Sequence, residues 1–330
     1  MTSPFRTLSQ VGTGIPSIVV AAIVVATNSA PIMRKVLRPA QLLDRRRFLG
    51  QVLFGAVGLG AVAAVDGFLI EPHAPVVDEI SIHLRRLPEA FHGFRIVVMG
   101  DMHFGPYAGK AQVERAVRLA LSLKPDLTIL TGDFVSHPLA MPNGPEGARH
   151  AEPCAEVLQQ MAGTLPGTRV VSILGNHDHW NGPDIVADAL DSHGIKVLRN
   201  QSMPLERDGQ RLWIVGVDDV YEHANDLNKA LQGVPTTETT IVAVHEPDFA
   251  DRAAKHPVDL QVSGHSHGGQ VRIPGYGAPI LPHLGRKYPF GLNRVRDLQV
   301  YTNRGIGVVF PPVRLNCPPE VTLITLVGSI

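Results

Sequence analysis

The chain is poor in cysteine and in aromatic residues, and it has no net charge. Its two cysteines, Cys154 and Cys317, lie far apart without Cys-x-x-Cys spacing, which excludes a zinc knuckle and a disulfide-built scaffold. Both read as small core or surface residues, with one long-range bridge left open for an exported domain. Aromatics make up 5%, and Lys+Arg and Asp+Glu total 30 each. That composition lacks the basic footprint of a nucleic-acid binder, so no nucleic-acid partner is expected. At 44% hydrophobic over 330 residues, the chain has enough apolar material for a full core, which excludes a disordered chain.

The charge balance hides an asymmetry. Residues 1–50 carry Arg6, Arg34, Lys35, Arg38, Arg45, Arg46 and Arg47 against Asp44 alone, leaving 23 basic and 29 acidic groups beyond. Within that head, residues 7–33 have no charged side chain. Their apolar run IPSIVVAAIVVA (15–26) is shorter than the roughly 20 residues of a comfortable membrane span. A second uncharged run, FLGQVLFGAVGLGAVAAV (48–65), follows the arginines and has no amphipathic face. DRRRFLG (44–50) resembles a twin-arginine export signal, which implies the twin-arginine export machinery as a partner, although more than forty residues precede it. Ala61-Val62-Ala63 offers a cleavage site, and an uncleaved anchor is the alternative. The basic linker between the two runs belongs on the cytoplasmic side by the positive-inside bias. The expectation is a protein of the cell inner membrane whose body faces the periplasm or exterior, or is cleaved and released. Residues 1–70 then form the anchor or signal, with one or two apolar helices, and residues 71–330 the catalytic domain.

Beyond a Pro-containing connector, β-branched runs alternate with helical segments. FRIVVMGD (94–101) predicts a strand, AQVERAVRLALSLKPD (111–126) an amphipathic helix that ends before Pro125, and LTILTGD (127–133) a second strand. A helix near 154–161 and a strand TRVVSILGNHD (168–178) follow. Further strands are expected at 212–217, 240–245, 258–262, 298–302 and 321–326. An early βαβαβ half followed by a strand-rich half predicts an α/β sandwich of two packed sheets flanked by helices.

Metal-competent side chains recur just past five of these strands: Asp101 and His103; Asp133; Asn176, His177 and Asp178; His245; and His265 with His267. Carboxyl ends of adjacent strands converge on one crevice, where ligands bind. One such Asp or His alone reads as a helix cap, a turn former or an ordinary surface residue. Five sets at strand ends do not read that way. Imidazole and carboxylate donors without thiolate suit Mn, Fe or Zn. In His265-x-His267 an extended backbone would aim the two rings at opposite faces, and Gly264, Gly268 and Gly269 are expected to supply the bend that turns each ring to a different ion.

The ordered motifs GDMHFG, LTGDF, LGNHDHW, AVHEPD and SGHSHGGQ resemble those of the binuclear metallophosphoesterases, the calcineurin-like phosphoesterases. GRKYPFG (285–291) and RLNCPPEVTLITL (314–326) resemble the membrane-associated bacterial branch of that family. The resemblance covers nearly all of residues 78–330 and implies a four-layer α-β-β-α sandwich holding two divalent metal ions. Carried over by motif, Asp101, His103 and His267 hold the first ion, Asn176, His245 and His265 the second, and Asp133 bridges them. It also implies a phosphodiester or pyrophosphate substrate cut by a metal-bridging hydroxide, with His177 contacting the phosphate and protonating the leaving group. Asp178 is expected either to orient His177 or to cap the helix beginning near Pro183.

His179, His193, His223, His256 and His283 fit no motif and read as surface residues. Asp218-Asp219 reads as cleft lining or as a turn, and Arg272, Arg286, Lys287 and Arg304 as solvated cations. A membrane tether makes a lipid-linked phosphate an attractive substrate. The branch offers a second reading, a nucleotide-diacylglucosamine pyrophosphohydrolase of lipid A synthesis, which conflicts with an exported catalytic domain. A third, a non-catalytic scaffold of the same fold, conflicts with the filled ligand positions.

Overall fold

Residues 45–136, 145–162 and 169–328 are described by the computed structural model. The apolar run 15–26 and most of the basic linker lie outside them. Contacts divide the chain into two units, Met1–Gly55 and Ala56–Ile330. Helix α1 (Arg45–Val65) carries the second apolar run. With no polar stripe it has no face to bury, and Leu53, Phe54, Val57 and Leu59 are all exposed. The helical stretch Arg47–His73 is long and apolar enough to cross a membrane by length and composition. At about 1.5 Å per residue it exceeds a hydrocarbon core of about 30 Å.

The larger unit contains strands β1 (Val76–Leu84), β2 (Arg95–Met99), β3 (Leu127–Leu130), β4 (Arg169–Ser172) and β5 (Lys196–Val197). Helices α2 (Lys110–Ser122), α3 (Ala151–Ala162), α4 (Asn176–Asn181) and α5 (Pro183–Ser192) lie between them in sequence. The second half contains β6 (Gln201–Arg207), β7 (Gln210–Gly216), α6 (Leu227–Ala230), β8 (Thr239–Ala243), α7 (Ala250–Ala253) and β9 (Leu260–Ser263). It closes with β10 (Gly291–Val295), β11 (Leu298–Thr302) and β12 (Glu320–Gly328).

Two six-stranded sheets result, ordered β1-β12-β2-β3-β4-β5 and β10-β11-β9-β8-β7-β6. Strand alternation sorts the side chains into three cores. On β2, Ile96 and Val98 face the second sheet, while Val97 and Met99 face α2 and α3. On β8, Ile241 and Ala243 face the first sheet, while Val242 packs with Leu227 of α6 and Ala250 of α7. The four-layer α-β-β-α sandwich follows directly from these three apolar interfaces.

Two boundaries depart from expectation. The helix expected to end before Pro125 already ends at Ser122, because Lys124 turns left-handed (φ 49°) ahead of that proline. The strand predicted through Asp178 stops at Ser172, and Asn176 opens a helix instead. Strands β1, β5, β6 and β10 were not anticipated. Both cysteines are free thiols in the interior, so the bridge left open does not form.

Candidate metal centre

The predicted residues meet where strands from both sheets end. Asp101 and His103 follow β2, Asp133 follows β3, Asn176 follows β4, His245 follows β8, and His265 and His267 follow β9. All seven are buried. Five of them, Asp101, His103, Asp133, His265 and His267, have left-handed backbones with φ between 45° and 67°. That conformation costs roughly 1–2 kcal/mol for a residue with a Cβ, and such strain concentrates at functional sites. This corrects the role given to the glycines: Gly268 (φ 59°) and Gly269 (φ 85°) do bend, but the two histidines turn their own backbones. Glycine is required elsewhere. Gly132 (φ +93°) lies where a Cβ would approach Gly175 N to 2.6 Å, and a Cβ on Gly175 would approach Asp133 Oδ1 to 2.3 Å.

Around the crevice the donor atoms converge. His103 Nε2 and His267 Nε2 are 2.9 Å apart, and each is 3.5 Å from a carboxylate oxygen, of Asp133 and Asp101 respectively. His245 Nε2 is 3.1 Å from Asp133 Oδ2, and His265 Nδ1 is 3.0 Å from Asn176 Oδ1. Three sets, Asp101/His103/His267, His103/Asp133/His177 and Asp101/Asp133/His245, each bring one ligand atom per residue within 4.8 Å of the others.

Outer contacts fix which ring nitrogens carry protons. His245 Nδ1 donates to the Thr131 carbonyl at 2.6 Å, which turns Nε2 toward Asp133. His265 Nε2 donates to the His283 carbonyl at 2.7 Å, so Nδ1 presents a lone pair to the acceptor Asn176 Oδ1. Two acceptors at 3.0 Å with no proton to share repel each other unless a cation lies near both. Asp101 Oδ2 and His245 Nε2 are buried without a hydrogen-bond partner, as the donor atoms of an ion site are before an ion is counted. The residues therefore fit divalent metal, and a nitrogen and oxygen donor set without thiolate fits Mn, Fe or Zn.

The electrostatics of three imidazoles agree with that fit, while at His245 burial is outweighed by the Asp133 and Asp101 carboxylates, which hold its imidazole well above the ordinary histidine range. Burial holds the His103 and His267 imidazoles well below the ordinary histidine range and His265 down to about 3, which keeps them neutral as ligands must be. Burial pushes the Asp133 carboxyl up, but His245 and His177 outweigh it and hold it well below the carboxylate range.

His177, half-buried beside this cluster, donates its backbone N–H to Asp133 Oδ1 at 2.8 Å. Its ring packs edge-on to His103 at 4.6 Å and against Trp180 at 4.6 Å. Asp178 is fully buried, and both its oxygens accept backbone N–H groups: Oδ2 from Asp133 (2.8 Å) and Gly175 (3.0 Å), Oδ1 from Phe134 (2.8 Å) and Val135 (3.3 Å). The cap of the helix beginning at Pro183 is Gly182.

Other readings change. His179 is no surface residue: its Nε2 bonds Asp218 at 2.8 Å, and Arg199 Nε holds the other oxygen of that carboxylate at 2.9 Å. Asp219 takes the turn role, accepting Glu222 N at 2.6 Å. Arg304 pairs with buried Glu320, and Arg272 lies 3.7 Å over the Phe290 ring. Sequence reasoning missed Glu246, next to His245, whose buried carboxylate accepts Val220 N and Tyr221 N, both at 3.1 Å. It also missed the role of Arg314, which is fully buried. The Arg314 guanidinium donates to the carbonyls of Arg304, Gly305, Gly307 and Cys317, and Nη2 lies 3.5 Å from His267 Nδ1. Its anchors are backbone carbonyls, which no side-chain pattern in the sequence marks.

The calcineurin-like phosphoesterase model matches residues 94–269, the span that contains every ligand candidate. The chain belongs to that family. Among relatives, this phosphoesterase is 32% identical to "Uncharacterized metallophosphoesterase YkuE" of Bacillus subtilis, over 86% of this chain and 98% of that one. It is 30% identical to "Phosphodiesterase YaeI" of Escherichia coli, over 71% of this chain and 82% of that one. It is also 30% identical to "Transmembrane protein with metallophosphoesterase domain" of Danio rerio, over 82% of this chain and 62% of that longer protein.

Proposed function

We propose that this metallophosphoesterase is a membrane-anchored phosphodiesterase that uses two divalent ions. Asp101, His103 and His267 hold one, Asn176, His245 and His265 the other, and Asp133 reaches both. The observation that carries the reading is the convergence of buried donors at the strand ends: Asp101, His103 and His267, and Asp101, Asp133 and His245, each bring one ligand atom per residue within 4.8 Å of the others. Two such ions supply a clamp for a phosphoryl group and activate water at neutral pH. The protein's own contribution is orientation. His177, outside the ligand set and fixed by its N–H to Asp133, is placed to protonate the departing alkoxide.

A diester or pyrophosphate, carried on a lipid, suits a body joined to an apolar helix of spanning length, and the phosphodiesterase relative supports a diester. The twin arginines at the start of α1 support export of the body to the outer side of the inner membrane, with the helix retained as its anchor. A panel of a soluble diester, a monoester and a pyrophosphate tests the reading. Diester hydrolysis should fall with chelator. His177→Ala should keep the metal yet lose about 100-fold or more in kcat, on the scale of general acid catalysis. Loss of metal in that variant would show that His177 is a ligand instead.

A further inference from the structure

The membrane helix enters the body at the catalytic end of the sandwich. β1 runs parallel to β12, and β12 runs antiparallel to β2, so β1 starts where β2, β3 and β4 finish. The metal candidates sit at those same finishing ends. The segment from Gly67 to Val76 is therefore beside the crevice, and it is fastened there. Arg314 donates its backbone N–H to the Gly67 carbonyl at 2.9 Å while its side chain lies 3.5 Å from His267. One residue thus separates the helix exit from a ligand candidate. The Glu71 carboxylate accepts Asn316 N and Cys317 N, and Gln112 Nε2 bonds both the Pro72 and Ile306 carbonyls.

The stretch 314–317 that fastens this segment also holds the exposed loop that follows His267. Val271 bridges to Leu315, Arg272 N donates to the Leu315 carbonyl at 2.8 Å, and Asn316 Nδ2 donates to the Arg272 carbonyl at 3.0 Å. From this seam project Ile273 (47% exposed), Tyr276 (74%), Ile280 (78%) and Phe310 (54%). Large apolar side chains left this open mark an interaction surface. The helix exit leads into the same seam with Phe68, Leu69 and Ile70 also exposed. The opposite end of the sandwich has different chemistry. There the end of β1 and the β10–β11 turn line a cleft with Arg85, Arg86, Arg294 and Arg296, about one strand length of roughly 30 Å away.

We propose that the catalytic end is a membrane-docking face. The 273–280 loop and Phe310 seat in the bilayer that holds α1, and the crevice takes its phosphoester from a lipid in that same leaflet. The lipid part rests on the phosphodiesterase reading; the docking part does not. Covalent continuity with a helix of spanning length commits the occupant to a lipid surface rather than to a second protein. The phosphoester of a lipid headgroup lies within a few ångströms of the hydrocarbon boundary, so a crevice fastened to the helix exit reaches it without a long hinge.

The full chain, reconstituted in phosphatidylethanolamine and phosphatidylglycerol vesicles, decides the matter. Nitroxide labels are placed through Tyr276→Cys and, at the far end, Arg296→Cys; native Cys154 and Cys317 are buried from reagent. Relaxation by oxygen over aqueous nickel chelate should be at least fivefold higher at 276 than at 296. Equal, water-like values overturn the docking face. Tyr276→Glu combined with Ile280→Glu should leave hydrolysis of bis(p-nitrophenyl) phosphate in detergent within about twofold and cut hydrolysis of vesicle-borne phosphodiester lipid tenfold or more. Equal loss on both substrates, or none on either, overturns the lipid supply. A chain inactive on every phosphoester, with residue 276 still in lipid, sinks the enzymatic reading and leaves the docking face standing.

Discussion

Asp178 Oδ2 accepts the backbone N–H of Asp133 at 2.8 Å, so a carboxylate in the first turn of α4 fixes the backbone of the candidate bridging ligand on the loop after β3. Three further N–H groups converge on the same side chain, two of them from the residues after Asp133. Burial, and next the charge of Asp133, push the Asp178 carboxyl up to about 7, and a cation beside Asp133 would relieve the second of these.

Replacing Asp178 tests that arrangement. Asp178→Ala strands buried N–H groups and should cost about 3–5 kcal/mol, the range for breaking a buried charged contact. Asp178→Asn keeps one acceptor oxygen and should lose about half as much. Denaturant unfolding reads both, and equal stability for Asp178→Ala and the parent would remove the bracing role.

Gly132→Ala probes the close approach between the β3 and β4 loops. A Cβ at 2.6 Å from Gly175 N, on a backbone at φ +93°, cannot be accommodated without moving Asp133. The expected loss is about 2–4 kcal/mol, from strain together with overpacking. Bound metal should fall with it. A variant of parental stability with full metal content would mean that the two loops are not rigidly spaced.

The layers and the meeting of the candidate residues at one crevice were legible in the sequence for related reasons. Continuous apolar runs at 96–99 and 241–243 mark strands buried on both faces, and acids and imidazoles just past strand ends state where a crevice lies. The boundaries were less legible because they depend on tertiary contacts. Asn176 begins a helix since Asp178 reaches back to Gly175 N, although the residues read as a continuing strand. Local pattern gave no sign that five ligand candidates turn left-handed, nor that Arg314 lies under His267, because both are imposed by partners far along the chain.

The His179–Asp218–Arg199 network gives a pH test away from the ligands. Burial opposes the charge on His179, but Asp218 outweighs it and raises the imidazole above 6.5; burial likewise pushes Asp218 up, but His179 and Arg199 outweigh it and hold the carboxyl below 3.8. The His179 contribution is therefore full below pH 6.5 and is lost as pH rises through its raised value. The Asp218 contribution is full above pH 3.8 and is lost as pH falls through its depressed value. His179→Gln should be less stable than the parent by about 1 kcal/mol near pH 5.5, allowing for solvent screening. That gap should narrow above neutrality, and a gap constant from pH 5 to 9 would show that folding does not shift the titration of this imidazole.

On the function proposed above, Asp133 joins two metal positions. Elemental analysis of the full-length chain purified from membranes, compared with Asp133→Asn, tests it most directly. The parent should hold two divalent ions per chain, and the variant should lose at least one together with about 1000-fold or more of diester turnover. Two ions retained with unchanged turnover in Asp133→Asn, or full diester hydrolysis by a parent chain stripped of metal, would contradict the account.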